Sequence, residues 1–185
     1  RAVIEAGINA GAKAVYLCKE PILSAIGAGI PIHSCSGNMI VDIGGGTTDI
    51  SVISLCEPVV DFSLKVAGDR FDEAIVKHVR RKHNVLIGER TAEEIKIQIG
   101  CAYPREEEAT MDVRGRNLIT GLPEEVEVSS IEIREALNNT LRVIIDTIKD
   151  TLDEAPPEID ADLIDSGICL SGGASQLHGL TQRLV

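Results

Sequence analysis

The feature that most constrains this chain is residues 39–55, where two apolar runs flank three consecutive glycines. The run before the glycines includes Asp42, and after Thr48 apolar residues alternate with polar ones up to Leu55. Alternation with period two indicates a β-strand rather than a helix. The stretch therefore predicts a β-hairpin whose glycine turn lets backbone N–H groups converge on a phosphate without interference from Cβ atoms.

Polar side chains beside the turn support this interpretation. The hydroxyls of Thr47 and Thr48 are candidate donors to phosphate, and Asp42 is a candidate ligand for a magnesium ion or its waters. No lysine follows the glycines, as a P-loop requires, and no helix follows them, as a dinucleotide-binding fingerprint requires. A plain glycine-rich hairpin turn remains the structural alternative.

Composition limits the class of protein. With 185 residues, 44% hydrophobic and 25% charged, the chain has the balance of a globular domain, and its net charge of −11 argues against binding to nucleic acid. Its five cysteines are dispersed without metal-ligand spacing, which favours free thiols. The chain begins without methionine in a helix-like pattern, so we expect a fragment of a longer protein.

The flanking segments predict alternating helices and strands. A helix over 1–12, a short buried strand over 14–18 and a helix beginning at Pro21 precede the hairpin. After it, residues 59–66 predict a third strand that completes an antiparallel meander, and Asp69 is a candidate N-cap of the helix that follows.

The remainder predicts a small inserted lobe and a return to the sheet. Residues 84–128 combine a helix from Thr91 with two alternating segments, which is typical of a small α+β lobe. A capping box, Ser129 to Glu132, starts a long helix that ends before Pro156. A last strand over 167–170 then leads into a second glycine turn, Ser171 to Ser175, whose small residues suit the approach of a flat ligand.

The order of these motifs resembles the actin-like ATPase superfamily, whose fold is α/β and ribonuclease H-like. Glu20-Pro21 precedes a helix, the 42–49 turn lies in a hairpin, Gly68-Asp69 precedes another helix, and Ser171-Gly172-Gly173 comes near the end. Within that superfamily, segments 28–31, 86–93 and 112–118 resemble the MreB family of bacterial rod-shape proteins. The resemblance covers essentially the whole chain and implies a three-stranded antiparallel meander extended by parallel strands, with flanking helices and the inserted lobe.

The resemblance also implies roles for individual residues. Glu20 and Thr47 would orient the attacking water, and Asp42 would serve magnesium. Contacts to ATP are implied for Gly44, Gly45, Gly46, Thr47, Thr48, Gly68, Glu93, Glu94, Lys96, Gly172, Gly173, Ala174 and Ser175. Two positions depart from the family pattern, because Ala67 and Ala174 stand where it often has glycine, and we expect altered affinity rather than lost binding.

The domain division that the resemblance implies has three parts. Residues 1–36 would be the C-terminal part of a first large subdomain, 37–83 with 129–185 a second large subdomain, and 84–128 a small inserted one. The family's first phosphate loop would lie upstream of Arg1, so the chain alone is expected to bind ATP poorly.

The resemblance implies an ATP-hydrolysing cytoskeletal protein. It would polymerise with itself into membrane-associated filaments on the inner face of the cell membrane, in the cytoplasm. With membrane proteins of wall synthesis as partners, it would organise rod shape. A metabolic kinase or chaperone-type ATPase of the same superfamily is the alternative, and a nucleotide-gated scaffold without hydrolysis is a third hypothesis.

Overall fold

The computed structural model describes all residues from 1 to 185 and contains seven strands and seven α-helices. The helices are α1 (Ala2–Asn9), α2 (Glu20–Gly27), α3 (Gly68–His83), α4 (Glu89–Gln98), α5 (Ser130–Glu154), α6 (Pro157–Ser166) and α7 (Leu180–Leu184). The strands are β1 (Asn38–Ile43), β2 (Thr48–Ser54), β3 (Glu57–Leu64), β4 (Val85–Leu86), β5 (Thr110–Asn117), β6 (Pro123–Ser129) and β7 (Ile168–Ser171). A short 3-10 helix spans Gly173–Gln176. No helix is both long enough and apolar enough to cross a membrane.

The larger sheet has four strands in the order β3-β2-β1-β7. β1, β2 and β3 are antiparallel neighbours, which confirms the meander, and β7 extends the sheet as a parallel neighbour of β1. Because side chains alternate between the faces of a strand, this sheet serves two cores. Val41 and Ile50 belong to the large core together with α3 and α5, whereas Ile40 and Ile53 pack with α2 in a small one.

The connection between β2 and β3 is tighter than the sequence indicated. Leu55 and Cys56 both have positive φ angles, 51° and 64°, so a two-residue turn joins the strands. Such turns match the right-handed twist of a hairpin. β3 consequently begins at Glu57, two residues earlier than predicted.

The second sheet, β4-β5-β6, and α4 come from the segment for which the sequence predicted an inserted lobe, and that name is kept for them below. Its core is continuous with the large one, since Val113 and Val128 belong to the same buried cluster as Phe71. The chain leaves the lobe through the predicted capping box, in which Ser129 Oγ accepts a hydrogen bond from Glu132 N and Glu132 accepts one from Ser129 N. The long helix α5 therefore starts where the sequence predicted.

Two local predictions are wrong. Residues 14–18 form no strand, and Tyr16 and Leu17 are 87% and 58% exposed, because no other strand of the chain lies beside them to pair with. Asp69 is not an N-cap, since α3 already begins at Gly68 with the extended residue Ala67 before it. Asp69 instead lies within the first turn, where its charge complements the helix dipole.

Candidate functional site

A cleft of about 1060 Å³ opens between the large sheet and the inserted lobe. Its walls come from the glycine turn of the hairpin, the start of α3, one side of α4 and the 3-10 helix. The lining residues are Gly44, Gly45, Gly68, Asp69, Asp72, Glu89, Arg90, Glu93, Lys96, Ile97, Arg105, Gly173, Ala174, Gln176, Leu177 and His178.

The glycine turn is fixed by backbone hydrogen bonds. Gly44 N donates to Thr47 O at 2.9 Å, which closes the turn between β1 and β2. The first amides of α3 then donate to the turn, Gly68 N to Gly44 O at 3.0 Å and Asp69 N to Gly45 O at 2.8 Å. The turn and the helix therefore form one rigid wall.

Asp69 explains why the middle of this turn suits glycine. A Cβ atom at Gly45 would lie 3.3 Å from Asp69 Oδ1, which is tighter than ordinary van der Waals contact. With no side chain at Gly45 or Gly46, the exposed backbone of the turn stays open to a ligand. Asp69 is a cleft residue that sequence reasoning assigned to a different role.

A largely buried ion pair lies deeper in the cleft wall. Lys96 Nζ is 2.9 Å from Asp72 Oδ2, and the two side chains are only 13% and 14% exposed. Burial raises the pKa of Asp72, and the hydrogen bond from Lys96 offsets part of that rise. The other carboxylate oxygen, Oδ1, is buried with no hydrogen-bond partner. This oxygen is therefore an unsatisfied acceptor within the wall of the cleft, which Asp72 helps to line.

The second glycine turn forms another part of the cleft wall. Gly172 has φ +86°, and a Cβ atom there would lie 2.3 Å from Ile43 O, so this glycine seats the turn against β1. Ser175 Oγ donates to Gly172 O at 2.7 Å and holds the turn from the other side. Gly173 and Ala174 line the cleft. The Ala174 methyl packs at 3.5 Å from the Cβ position of Gly68, so the extra carbon is accommodated.

Acidic side chains lie on the other face of the same hairpin, the face that packs against α2. Asp42 accepts a hydrogen bond from the Ser24 hydroxyl, and it pairs in register with Asp49, so both carboxylates project from one face of the sheet. Glu20 is four residues before Ser24 and therefore lies on the same side of α2. Glu20 and Asp42 are therefore outside the lining of the cleft, although Asp42 Oδ1 lies beside Gly172 of the second glycine turn.

The two threonines of the turn differ in their surroundings. Thr48 is fully buried, and its Oγ1 donates to Val66 O at 2.7 Å. Its hydroxyl is therefore engaged, which corrects the expectation that both threonine hydroxyls are donors to phosphate. Thr47 is half-buried at the edge of the turn.

The structure divides the other predicted residues into two groups. Those that line the cleft are Gly44, Gly45, Gly68, Glu93, Lys96, Gly173 and Ala174. Glu94 is outside that lining, and its carboxylate lies 3.4 Å from Arg90 Nε. Gly46, Gly172 and Ser175 belong to the two turns without lining the cleft itself.

Several lining residues were missed from the sequence. Asp69 and Asp72 are three residues apart after Gly68, a spacing that places both on one side of a helix and could have been noticed. No local sequence pattern places His178 at the cleft. A hydrogen bond from Ala102 N to His178 O, at 2.7 Å, joins two segments that are distant in the sequence and brings His178 there.

The carboxylates beside the glycine turn are the candidate ligands for magnesium. No group of three or more histidine, cysteine or acidic side chains is arranged to hold a metal ion. Mg²⁺ in phosphate sites keeps several waters and takes only one or two carboxylates. Asp42, with Asp49 opposite it, fits that requirement.

Solved structures with the same fold define the class of protein. MreB5 of Spiroplasma citri, solved with AMPPNP and with ADP, superposes with a TM-score of 0.95 at 39% identity, over 98% of this chain and 54–55% of that one. The MamK double helical filament matches with a TM-score of 0.71 at 26% identity, over 90% of this chain and 49% of MamK. The fold is that of actin-like proteins of the cytoskeletal type.

The sequence comparisons then identify the family. The MreB/Mbl protein family matches residues 1–185. The cell shape-determining protein Mbl of Bacillus subtilis is 47% identical over 184 residues, covering 100% of this chain and 55% of Mbl. MreB of Escherichia coli K12 is 46% identical over 185 residues, covering 100% of this chain and 53% of MreB. The chain belongs to the MreB/Mbl family and spans about half the length of these relatives.

Proposed function

We propose that the full-length protein binds and hydrolyses ATP and polymerises into filaments that organise wall synthesis and rod shape. The observation that carries this proposal is the cleft, in which two glycine turns face a helix bearing Glu93 and Lys96. Relatives of the same family are named as cell shape-determining proteins, and its structural neighbours include nucleotide complexes and a filament.

The two walls of the cleft suggest how ATP would lie. The backbone N–H groups of Gly45, Gly46 and Thr47 would hold the β and γ phosphates, where glycine permits close approach, while Gly44 N closes the turn. The 172–175 turn and α4 would enclose the adenosine, with Glu93 and Lys96 near the ribose.

Hydrolysis is assigned to the α2 side of the hairpin. Glu20 and Thr47 would align and polarise the attacking water, without a covalent intermediate. Asp42 would hold magnesium through water, and the ion would neutralise charge on the phosphates. In a filament, hydrolysis would act as a timer for disassembly.

The chain supplies only part of such a site. Because it spans about half the length of its relatives, we propose that the rest of the longer protein supplies a second phosphate-binding wall. In this proposal 1–36 completes a first large subdomain, 37–83 with 129–185 forms a second one, and 84–128 is an insertion. The exposed side chains of Tyr16 and Leu17 would then be covered by the first large subdomain.

The cellular setting belongs to the same proposal. The filaments would lie in the cytoplasm on the inner face of the cell membrane, with wall-synthesis proteins as partners. The whole-chain net charge of −11 makes nucleic acid an unfavourable partner.

Sedimentation of the full-length protein tests the proposed function against the kinase alternative. With ATP and magnesium, the protein is expected to enter the pellet, and without nucleotide it is expected to stay in the supernatant. A protein that stays in the supernatant under both conditions but transfers phosphate to a small hydroxyl compound is a kinase, and the filament proposal is then wrong.

A further inference from the structure

A cysteine and a histidine form a close pair at the end of the large sheet opposite the glycine turn. Cys56 Sγ lies 2.9 Å from His33 Nδ1. Cys56 is in the two-residue turn between β2 and β3, whereas His33 is in the loop between α2 and β1. Neither residue takes part in the nucleotide site proposed above, so the pair needs an explanation of its own.

Backbone hydrogen bonds hold the two loops in register. Cys56 N donates to Ile32 O at 2.7 Å, and Leu55 N donates to Ser34 O at 3.0 Å, so the residues on both sides of His33 are anchored to the turn. Cys56 has the left-handed backbone conformation, φ 64°, which sets the direction of its Cα–Cβ bond. The backbone segments that carry the thiol and the imidazole are therefore held side by side by the fold.

We propose that Cys56 is an oxidation site at which His33 activates the thiol toward hydrogen peroxide. The thiolate is the reactive form of cysteine, and an adjacent imidazole is the usual base that generates it. His33 Nδ1 accepts the thiol proton, and the sulfur attacks one oxygen of the peroxide. The O–O bond breaks, and the departing hydroxide takes the proton from the imidazolium and leaves as water. The peroxide is reduced by two electrons, and Cys56 becomes a sulfenic acid.

Cys35 provides an internal comparison. Cys35 is exposed, whereas Cys56 is half-buried. The Cys35 sulfur has no hydrogen-bond partner, and only the backbone O of Cys35 accepts a hydrogen bond, from Ser54 Oγ. Exposure alone therefore predicts that Cys35 reacts faster, while the thiol–imidazole pair predicts that Cys56 does. The two explanations give opposite orders of reactivity within one protein.

The experiment treats the full-length protein with a limiting amount of hydrogen peroxide and traps sulfenic acid with dimedone. Cleavage before aspartates and after lysines separates the cysteines, because Asp42 and Asp49 lie between Cys35 and Cys56, and Lys19 lies between Cys18 and Cys35. Since a free thiol is only a few per cent ionised at neutral pH, we expect Cys56 to be labelled about tenfold faster than Cys35.

Two variants test the role of the imidazole. His33→Asn should reduce the labelling rate of Cys56 to near that of Cys35, and His83→Asn, a substitution far from this turn, should leave it unchanged. Circular dichroism verifies that each variant is folded. Labelling of Cys35 as fast as that of Cys56, or an unchanged Cys56 rate in folded His33→Asn, would overturn the proposal.

Discussion

At the scale of single residues, Gly172 and Gly173 show how different two adjacent glycines are. Gly172 has φ +86° and ψ 159°, a region that only glycine adopts readily, and its Cβ position is 2.3 Å from Ile43 O. Gly173 has open space around its Cβ position. The first glycine is required by the backbone, whereas the second is a candidate ligand contact.

Alanine substitutions separate these two roles. Gly172→Ala is expected to lower the free energy of unfolding by about 3 kcal/mol, because the strained conformation and the clash with β1 add together. Gly173→Ala, the matched control, is expected to change it by less than about 0.5 kcal/mol. Thermal unfolding of the full-length protein measures both, and equal melting temperatures for the two variants would contradict this assignment.

Glu20 is the residue on which the proposed hydrolysis depends. Glu20→Ala in the full-length protein should slow phosphate release by about 100-fold, the lower range for loss of acid–base assistance, while ATP is still bound. Glu135→Ala, an exposed acid on α5, is the control and should hydrolyse at the normal rate. Phosphate release measured at saturating ATP tests this role, and an unchanged rate in Glu20→Ala would remove it.

At the scale of elements, one carboxylate joins the end of α3 to the start of α5. Glu132 is 3% exposed, and its Oε1 accepts from Ser129 N at 2.8 Å within the capping box. Its Oε2 lies 3.1 Å from His83 Nε2 and also contacts Lys82 Nζ. Burial alone would raise the pKa of Glu132, but the hydrogen bonds from Lys82, Ser129 and His83 lower it to about 2.

Removing this charge should loosen the contact between the two helices. Glu132→Gln retains an acceptor for Ser129 N but leaves the basic groups of α3 without their buried counter-charge. We expect a loss of about 3 kcal/mol in the free energy of unfolding at pH 7. Glu135→Gln, the same change at an exposed position one turn later, should cost less than about 0.5 kcal/mol. Urea denaturation distinguishes them, and a similar loss for both would show that the cluster is not stabilising.

The same elements predict how stability depends on pH. Burial lowers the pKa of His78 below its ordinary value of 6.5. The nearby carboxylate of Glu132 raises that pKa by less than burial lowers it, and the charges of Lys82 and Arg81 lower it further. A group with a lowered pKa stabilises the fold above its unfolded pKa and loses that contribution as pH falls. Stability should therefore decline below pH 6.5 through His78, and again between pH 4.5 and about 2 through Glu132.

Melting temperatures measured from pH 7 to pH 3 test this dependence. His78→Gln should flatten the first decline, and Glu132→Gln should flatten the second. If both variants retain the pH profile of the unmodified protein, other groups control acid unfolding.

Local patterns predicted the elements better than the site. The alternation in 39–55 predicted β1, the turn and β2, and the Ser129–Glu132 spacing predicted the start of α5, because these structures are set by neighbouring residues. The pairing of Asp72 with Lys96 spans 24 residues and depends on how α4 packs on α3. The prediction of a strand over 14–18 is wrong because an apolar run becomes a strand only where another strand pairs with it.

At the scale of the whole molecule, the cleft exists because distant segments meet at the end of one sheet. The parallel pairing of β7 with β1 places Ser171 opposite Asp42 in register, and so brings the second glycine turn beside the first. The lobe contributes α4, which packs on α3, to the other wall. Neither turn alone would complete the proposed nucleotide site without this topology, and the chain shares its fold with MreB5 at a TM-score of 0.95.

Electron microscopy of the full-length protein on lipid, with and without ATP, tests the central claim most directly. With ATP and magnesium, we predict filaments on the lipid surface, and without nucleotide we predict dispersed protein. Glu135→Ala should form the same filaments. Folded protein that binds ATP but forms no filaments on lipid would contradict the account.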